Sequence, residues 1–281
     1  MLSYKRDQLL KKYSETEIKA TVALLKKFKY RPENNFLIIS GYHIFFTPLV
    51  FKLREFSFLV SLTETEISFF SKFKKDLCSL RLSFIDPENN KTHQFFIKGK
   101  FPGIEKCTLY KDSWIFTFSF KSKSDFYLKT FLLMSDLISQ YKILYSNSNP
   151  AVFGSLLLTD ILKTDSILVS SERVKIGFGT ILSISVNNME IVVNLFDYEL
   201  KPGDKLTLTS TKDNTPFILN GRIKELYEWK EDSLFTVIST DLDFHMDYID
   251  RISPYLNVKE IEEIDNPDEI TTTHEPDSAS D

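Results

Sequence analysis

Cysteine is almost absent: Cys78 and Cys107 are the only two in 281 residues. Both sit inside alternating apolar runs, so they are expected as small buried side chains rather than a disulfide or a metal pair. Apolar runs of about eighteen residues are missing, and the opening MLSYKRDQLLKKYSETE lacks the apolar centre of a secretory signal. The expectation is a cytoplasmic protein without membrane insertion. No dense Arg/Lys cluster occurs, because the basic residues are mostly Lys and are spread along the chain. No nucleic-acid partner is therefore expected. Arginine is absent altogether between Arg81 and Arg173. A G-x-S-x-G elbow is missing too, which leaves nucleophilic hydrolysis without an anchor. The four histidines, His43, His93, His245 and His274, show no metal-ligand spacing, so no metal or other cofactor is expected.

What is present suits a folded protein. Hydrophobic residues make up 42% and charged residues 26%, with a heavy load of 25 Phe that reads as core. The length accommodates two ordinary domains. The net charge of −4 is uneven: residues 258–281 hold nine acids against Lys259 alone, a local −8, which leaves +4 for the rest. Such a segment buries too little apolar surface to offset its ordering, so a disordered acidic tail is expected there.

Along the chain, Ser14 and Glu17 form an S-x-x-E capping box ahead of Ile18, Val22, Leu25 and Phe28, which predicts a helix over about 14–29. Short strands follow, interrupted by a helix that Thr63 and Glu66 would cap. CSLRLSFI, DPENN and KTHQFFIKGK read as a hairpin, with two further strands near 104–110 and 113–121. A long helix capped by Ser124 would line Phe126, Leu133, Leu137 and Tyr141 along one stripe. The polar stretch YSNSNPAVFG marks a linker, 143–154. Six short strands then suggest a small closed barrel, with a KPGD turn at 201–204 and a Gly177-Phe178-Gly179 bend. A final helix, about 243–255, would be capped by Asp241 or Asp243. The acids around His245 read as complements to that helix's amino terminus rather than as metal ligands. The expected fold class is mainly β with helices (α+β): two small β-barrel-like domains, 30–142 and 155–257, each closed by a helix.

The pieces TILSIS, NNMEIVV, LKPGDKLTLTS, FILNGRIKEL, SLFTVIST and DYIDRISPYL follow the order of a PilZ domain, and residues 155–257 resemble that family. Residues 14–142 resemble the amino-terminal companion of two-domain PilZ proteins. The resemblance implies a receptor for cyclic di-GMP that uses a linker R-x-x-x-R motif and a barrel D/N-x-S-x-x-G motif. Carried over, the barrel motif falls on Ser183, Ser185 and Asn188, and only Ser185 keeps the family's residue type. The linker has no arginine, and Lys142 or Lys163 would be point charges in place of planar, stacking forks. At about 1–3 kcal/mol per missing contact, two lost arginines would weaken binding by roughly two to four orders of magnitude. The implied protein is a non-enzymatic signalling adaptor with a degenerate nucleotide site, acting through an unidentified protein partner. The alternative is a working cyclic di-GMP receptor that uses non-standard contacts.

Overall fold

The computed structural model describes residues 8, 10–121, 125–147, 152–153, 166–172, 175–194, 199–210, 218–229 and 232–256. The chain divides into two compact units. One comprises residues 1–148 with 244–250, and the other comprises 149–243 with 251–281. It is mainly β with a few helices: one unit holds a large antiparallel sheet and the other a closed barrel. No helix among the described residues is long and apolar enough to cross a membrane.

The first unit contains β1 (Ile18–Lys19), α1 (Val22–Lys27), a 3-10 turn (Pro32–Asn34), β2 (Phe36–Ile39), β3 (Tyr42–Phe45), β4 (Thr47–Phe51) and β5 (Glu55–Ser61). After these come α2 (Glu64–Ser71), β6 (Cys78–Ile85), β7 (Thr92–Lys106), β8 (Ser113–Phe120) and α3 (Asp125–Ser146). The eight strands run in the order β1-β4-β5-β8-β7-β6-β2-β3. Alternation puts Leu37, Phe56, Phe58, Leu80, Leu82, Ile97, Phe116 and Phe118 on one buried face. The Phe excess fills this core, with Phe46 against Phe58 at 4.5 Å and Phe101 against Phe116 at 5.5 Å between ring centroids. Both cysteines are free and buried, and α2 carries the full Thr63–Glu66 capping box.

Three sequence expectations for this unit are corrected. The helix at 14–29 is instead a turn, the short strand β1 and the six-residue α1. Ser14 donates to the Lys11 carbonyl at 3.0 Å, Ile18 pairs with Phe51, and Thr21 is the residue whose hydroxyl caps Leu24 N–H at 3.2 Å. A β-branched residue that buries itself in a sheet outweighs the helical spacing. The strands near 92–100 and 104–110 are one, β7, with its register against β8 shifting between Lys100 and Gly103 at the intervening Pro102. The buried stripe of α3 is Tyr127, Phe131, Met134 and Tyr141 rather than one through Leu133 and Leu137. Tyr127 fixes that rotation, since its hydroxyl donates to the Lys52 carbonyl at 2.7 Å. Ser124 lies outside the described residues.

In the second unit, β10 (Ser166–Ser171), β11 (Lys175–Ile184), β12 (Asn188–Asn194), β13 (Lys205–Thr209), β14 (Ile218–Trp229) and β15 (Asp232–Leu242) close in the order β10-β13-β14-β15-β12-β11 and back to β10. The KPGD turn forms with Gly203 at φ 94°, while the Asp204 carboxylate accepts from Lys201 N–H at 2.9 Å. At Gly179 a Cβ would collide with Ile191 and Val193, so only glycine lets β12 lie this close to β11. A seventh strand, β9 (Val152–Phe153), adds to β11, although its residues were read as linker. The last helix, α4 (Met246–Leu256), starts later than expected. Its first turn is capped by neither Asp241 nor Asp243, because Asp241 is still in β15; His245 Nδ1 accepts from Tyr248 N–H at 3.2 Å instead. The acidic tail, 258–281, and Lys163 lie outside the described residues.

Candidate functional site

The three residues of the barrel motif stand at one hairpin, β11 to β12. Along β12 the residues Met189, Ile191 and Val193 are buried, so Asn188, Glu190 and Val192 face outward. Strand β11 carries a register shift between Ile181 and Ser183, with Leu182 as the extra residue. The shift matters because strict pairing would put Ser183 opposite Met189 and point it inward. With the bulge, Ser183 pairs with Glu190 and lies on the outer face.

There Ser183 is 2% exposed, and its hydroxyl donates to Glu190 Oε2 at 2.7 Å. The other carboxylate oxygen accepts from Tyr227 on β14 at 2.9 Å. Glu190 is thus held from two sides. Partial burial, the hydrogen bond to Glu190 and the nearby charges of Glu190 and Glu225 push the Tyr227 phenol up to about 12, so it remains a donor at neutral pH. Ser185 turns toward its own hairpin: its Oγ accepts from Asn188 N–H at 2.9 Å and lies 3.1 Å from Asn187 Oδ1. Asn188 Nδ2 donates to Ser239 Oγ of β15 at 3.3 Å. Asn188 is absent from the residues with positive φ and opens β12, so no Gly-like conformation is required of it.

The site residues read from the sequence therefore share one hairpin, where Ser185 and Asn188 bond to each other while Ser183 turns to Glu190 and the Asn188 amide to Ser239. Sequence reasoning missed Glu190, Tyr227 and Ser239, since a one-residue bulge decides which side chains share a face. The arrangement also brings the chain before the barrel to the motif: β9 pairs Phe153 with Ser183 and Val152 with Ile184. Charges on the same outer face come from Arg222, paired in register with Asp241, and from Asp241, paired with Asn188. Arg222 Nη1 donates to the Gly203 carbonyl at 3.3 Å. Lys142 is exposed on α3 in the first unit. Among the described residues no group of three or more His, Cys, Asp or Glu is arranged to hold a metal.

No protein-family model matches the chain. No curated protein matches it either. Solved structures similar to it include the PlzA protein of Borreliella burgdorferi in complex with c-di-GMP, at 17% identity and a TM-score of 0.49, covering 92% of this chain and 100% of that one. Another is the inhibitor of motility MotI/DgrA of Bacillus subtilis, at 8% identity and a TM-score of 0.28, covering 82% and 100%. A third is YcgR of Escherichia coli in complex with c-di-GMP, at 10% identity and a TM-score of 0.26, covering 83% and 87%.

Proposed function

We propose that this chain is a non-enzymatic, cytoplasmic PilZ-type signalling adaptor whose cyclic di-GMP site is degenerate and which acts by binding a protein partner. The observation that carries the reading is the 2.7 Å bond from Ser183 to Glu190. It uses the single proton of the hydroxyl that replaces the family's Asp or Asn, and it fixes a carboxylate on the face that would meet a doubly charged ligand. The strand order of the sequence pieces and the closed six-stranded barrel support the PilZ part of the reading. The missing linker arginines support the degenerate part.

One observation favours the alternative of a working receptor. Strand β9 lays the preceding segment directly beside Ser183, where a ligand held by both segments would sit. Isothermal titration of the full chain with cyclic di-GMP decides between them. The degenerate reading expects no saturable heat up to about 100 μM, in line with the two to four orders of magnitude lost with the arginine pair. Binding at micromolar or tighter concentration overturns it.

A further inference from the structure

The first unit presents an open sheet face that combines aromatic rings with positive charge. Across β3, β2, β6 and β7 the register sets Phe45, Phe36, Arg81 and Phe96 in one row: Phe36 pairs with both Phe45 and Arg81, and Arg81 pairs with Phe96. Phe45 and Phe96, at the two ends, are 55% and 59% exposed. Between them the Arg81 guanidinium lies 5.1 Å from the Phe36 ring centroid and 5.9 Å from that of Phe96. With its amide oxygen turned to Arg81, Gln94 accepts from Nε at 2.7 Å and from an Nη as well. His43 stacks on Phe36 at 4.4 Å.

Arg81 is therefore held in place before any ligand arrives, and the rest of its planar donor set is unused by Gln94. Lys98 and Lys100 follow Phe96 at two-residue steps on the same side of β7 and are exposed. The outward positions of β2, β3, β6 and β7 as far as Lys100 include no Asp or Glu. The face is thus cationic, flanked by rings, and matches the aromatic-plus-arginine composition of energetic anchors in protein interfaces.

We propose that this face docks a protein segment in extended conformation that carries an Asp or Glu between two large apolar residues. Four strands at about 4.8 Å spacing place Phe45 and Phe96 about 14 Å apart, which is the reach of about four extended residues. In an extended segment, residues i, i+2 and i+4 point to one side. An apolar–x–acid–x–apolar segment then sets its end side chains on Phe45 and Phe96 and its carboxylate on the Arg81 fork. The proposal deepens the partner-binding reading by naming the surface and the chemistry of the partner. It does not depend on the barrel.

The test uses the full chain and an immobilised synthetic peptide, Gly-Leu-Ser-Glu-Ser-Leu-Gly, with a version carrying Lys for Glu. The acidic peptide is expected to bind at least tenfold better than the Lys version, and more weakly as salt rises. Arg81→Gln and Phe96→Ser should each lose about tenfold or more, whereas Lys224→Gln, at an exposed position of β14, should bind as the parent does. Lys98→Glu, at an exposed position, covers the case in which Arg81→Gln unfolds. Equal binding of the two peptides, or indifference to the Arg81 and Phe96 changes, overturns the proposal. So does preferential binding of oligouridylate, or a concentration-dependent dimer that the same changes abolish. Cyclic di-GMP titration of the same samples separates failure of this proposal from failure of the functional reading.

Discussion

Tyr227 and Glu190 tie the candidate site to the stability of the barrel. The phenol donates to Glu190 at 2.9 Å, and its pKa is pushed up from the ordinary 10.0 to about 12. A folded-state pKa above the unfolded one means that the stabilisation is complete below pH 10 and is lost as pH rises through 12. Tyr227→Phe should therefore be less stable than the parent at neutral pH by about 1 kcal/mol, the net worth of one hydrogen bond. That difference should shrink between pH 10 and pH 12. Urea unfolding of both proteins across that range measures it, and a constant difference would refute the assignment. At this scale the strand-turn-strand that carries Ser183, Ser185 and Asn188 was legible, because alternation and turn chemistry are local. Glu190, seven residues from Ser183, was not, since its partnership depends on the extra residue at Leu182.

The elements follow the sequence where the hydrophobic period is unambiguous. The β6–β7 hairpin alternates strictly, with Leu80, Leu82 and Phe84 buried against polar neighbours, and period-2 patterning leaves no competing choice. Helix α2 was marked by local chemistry, the capping box of Thr63 and Glu66. Helix α1 was not. Its amino terminus is capped partly by Thr21 and partly from far along the chain, where Asp247 Oδ1 accepts from Ala23 N–H at 2.5 Å. No local pattern announces a cap that arrives from 224 residues away. Asp247→Ala should cost about 1 kcal/mol, the usual price of losing a helix cap. Asp247→Asn, which keeps an acceptor, should cost less, and guanidinium unfolding monitored through Trp114 in the first unit reads both.

At the level of the whole molecule, residues 244–250 belong with residues 1–148. Asp250 accepts from Tyr141 Oη at 2.5 Å and pairs with Lys27 Nζ at 3.1 Å, while Phe244 meets Tyr145 edge-on at 5.7 Å. Burial works to raise the Asp250 pKa, but the Tyr141 and Lys27 contacts outweigh it and hold the carboxyl below its ordinary range. Ending the chain after Asp243 removes all of these groups and the Asp247 cap. The first unit's thermal midpoint should then fall by several degrees, since each lost kilocalorie is worth about 2–8 °C. Ending it after Asn257 should leave the midpoint nearly unchanged, because residues 258–281 offer almost no apolar surface. Calorimetry on the two truncations tests the contrast. One boundary between the two units falls between Ser148 and Asn149, inside the polar stretch YSNSNPAVFG, but the return of a carboxy-terminal segment to the first unit was not legible, since contacts between distant residues leave no periodic trace.

That return has a consequence for biosynthesis. A chain emerging amino terminus first has all eight strands of the first sheet by Phe120, yet the seven residues that finish that unit come about 100 residues after its main segment ends. At about 5–20 residues per second, translation leaves the unit waiting roughly 5–20 s without its Asp247 cap and Asp250 contacts. The nascent first unit therefore spends that interval as an unfinished intermediate, and a ribosome stalled within the barrel-coding stretch should yield a first unit that is more readily cleaved by protease than the finished chain.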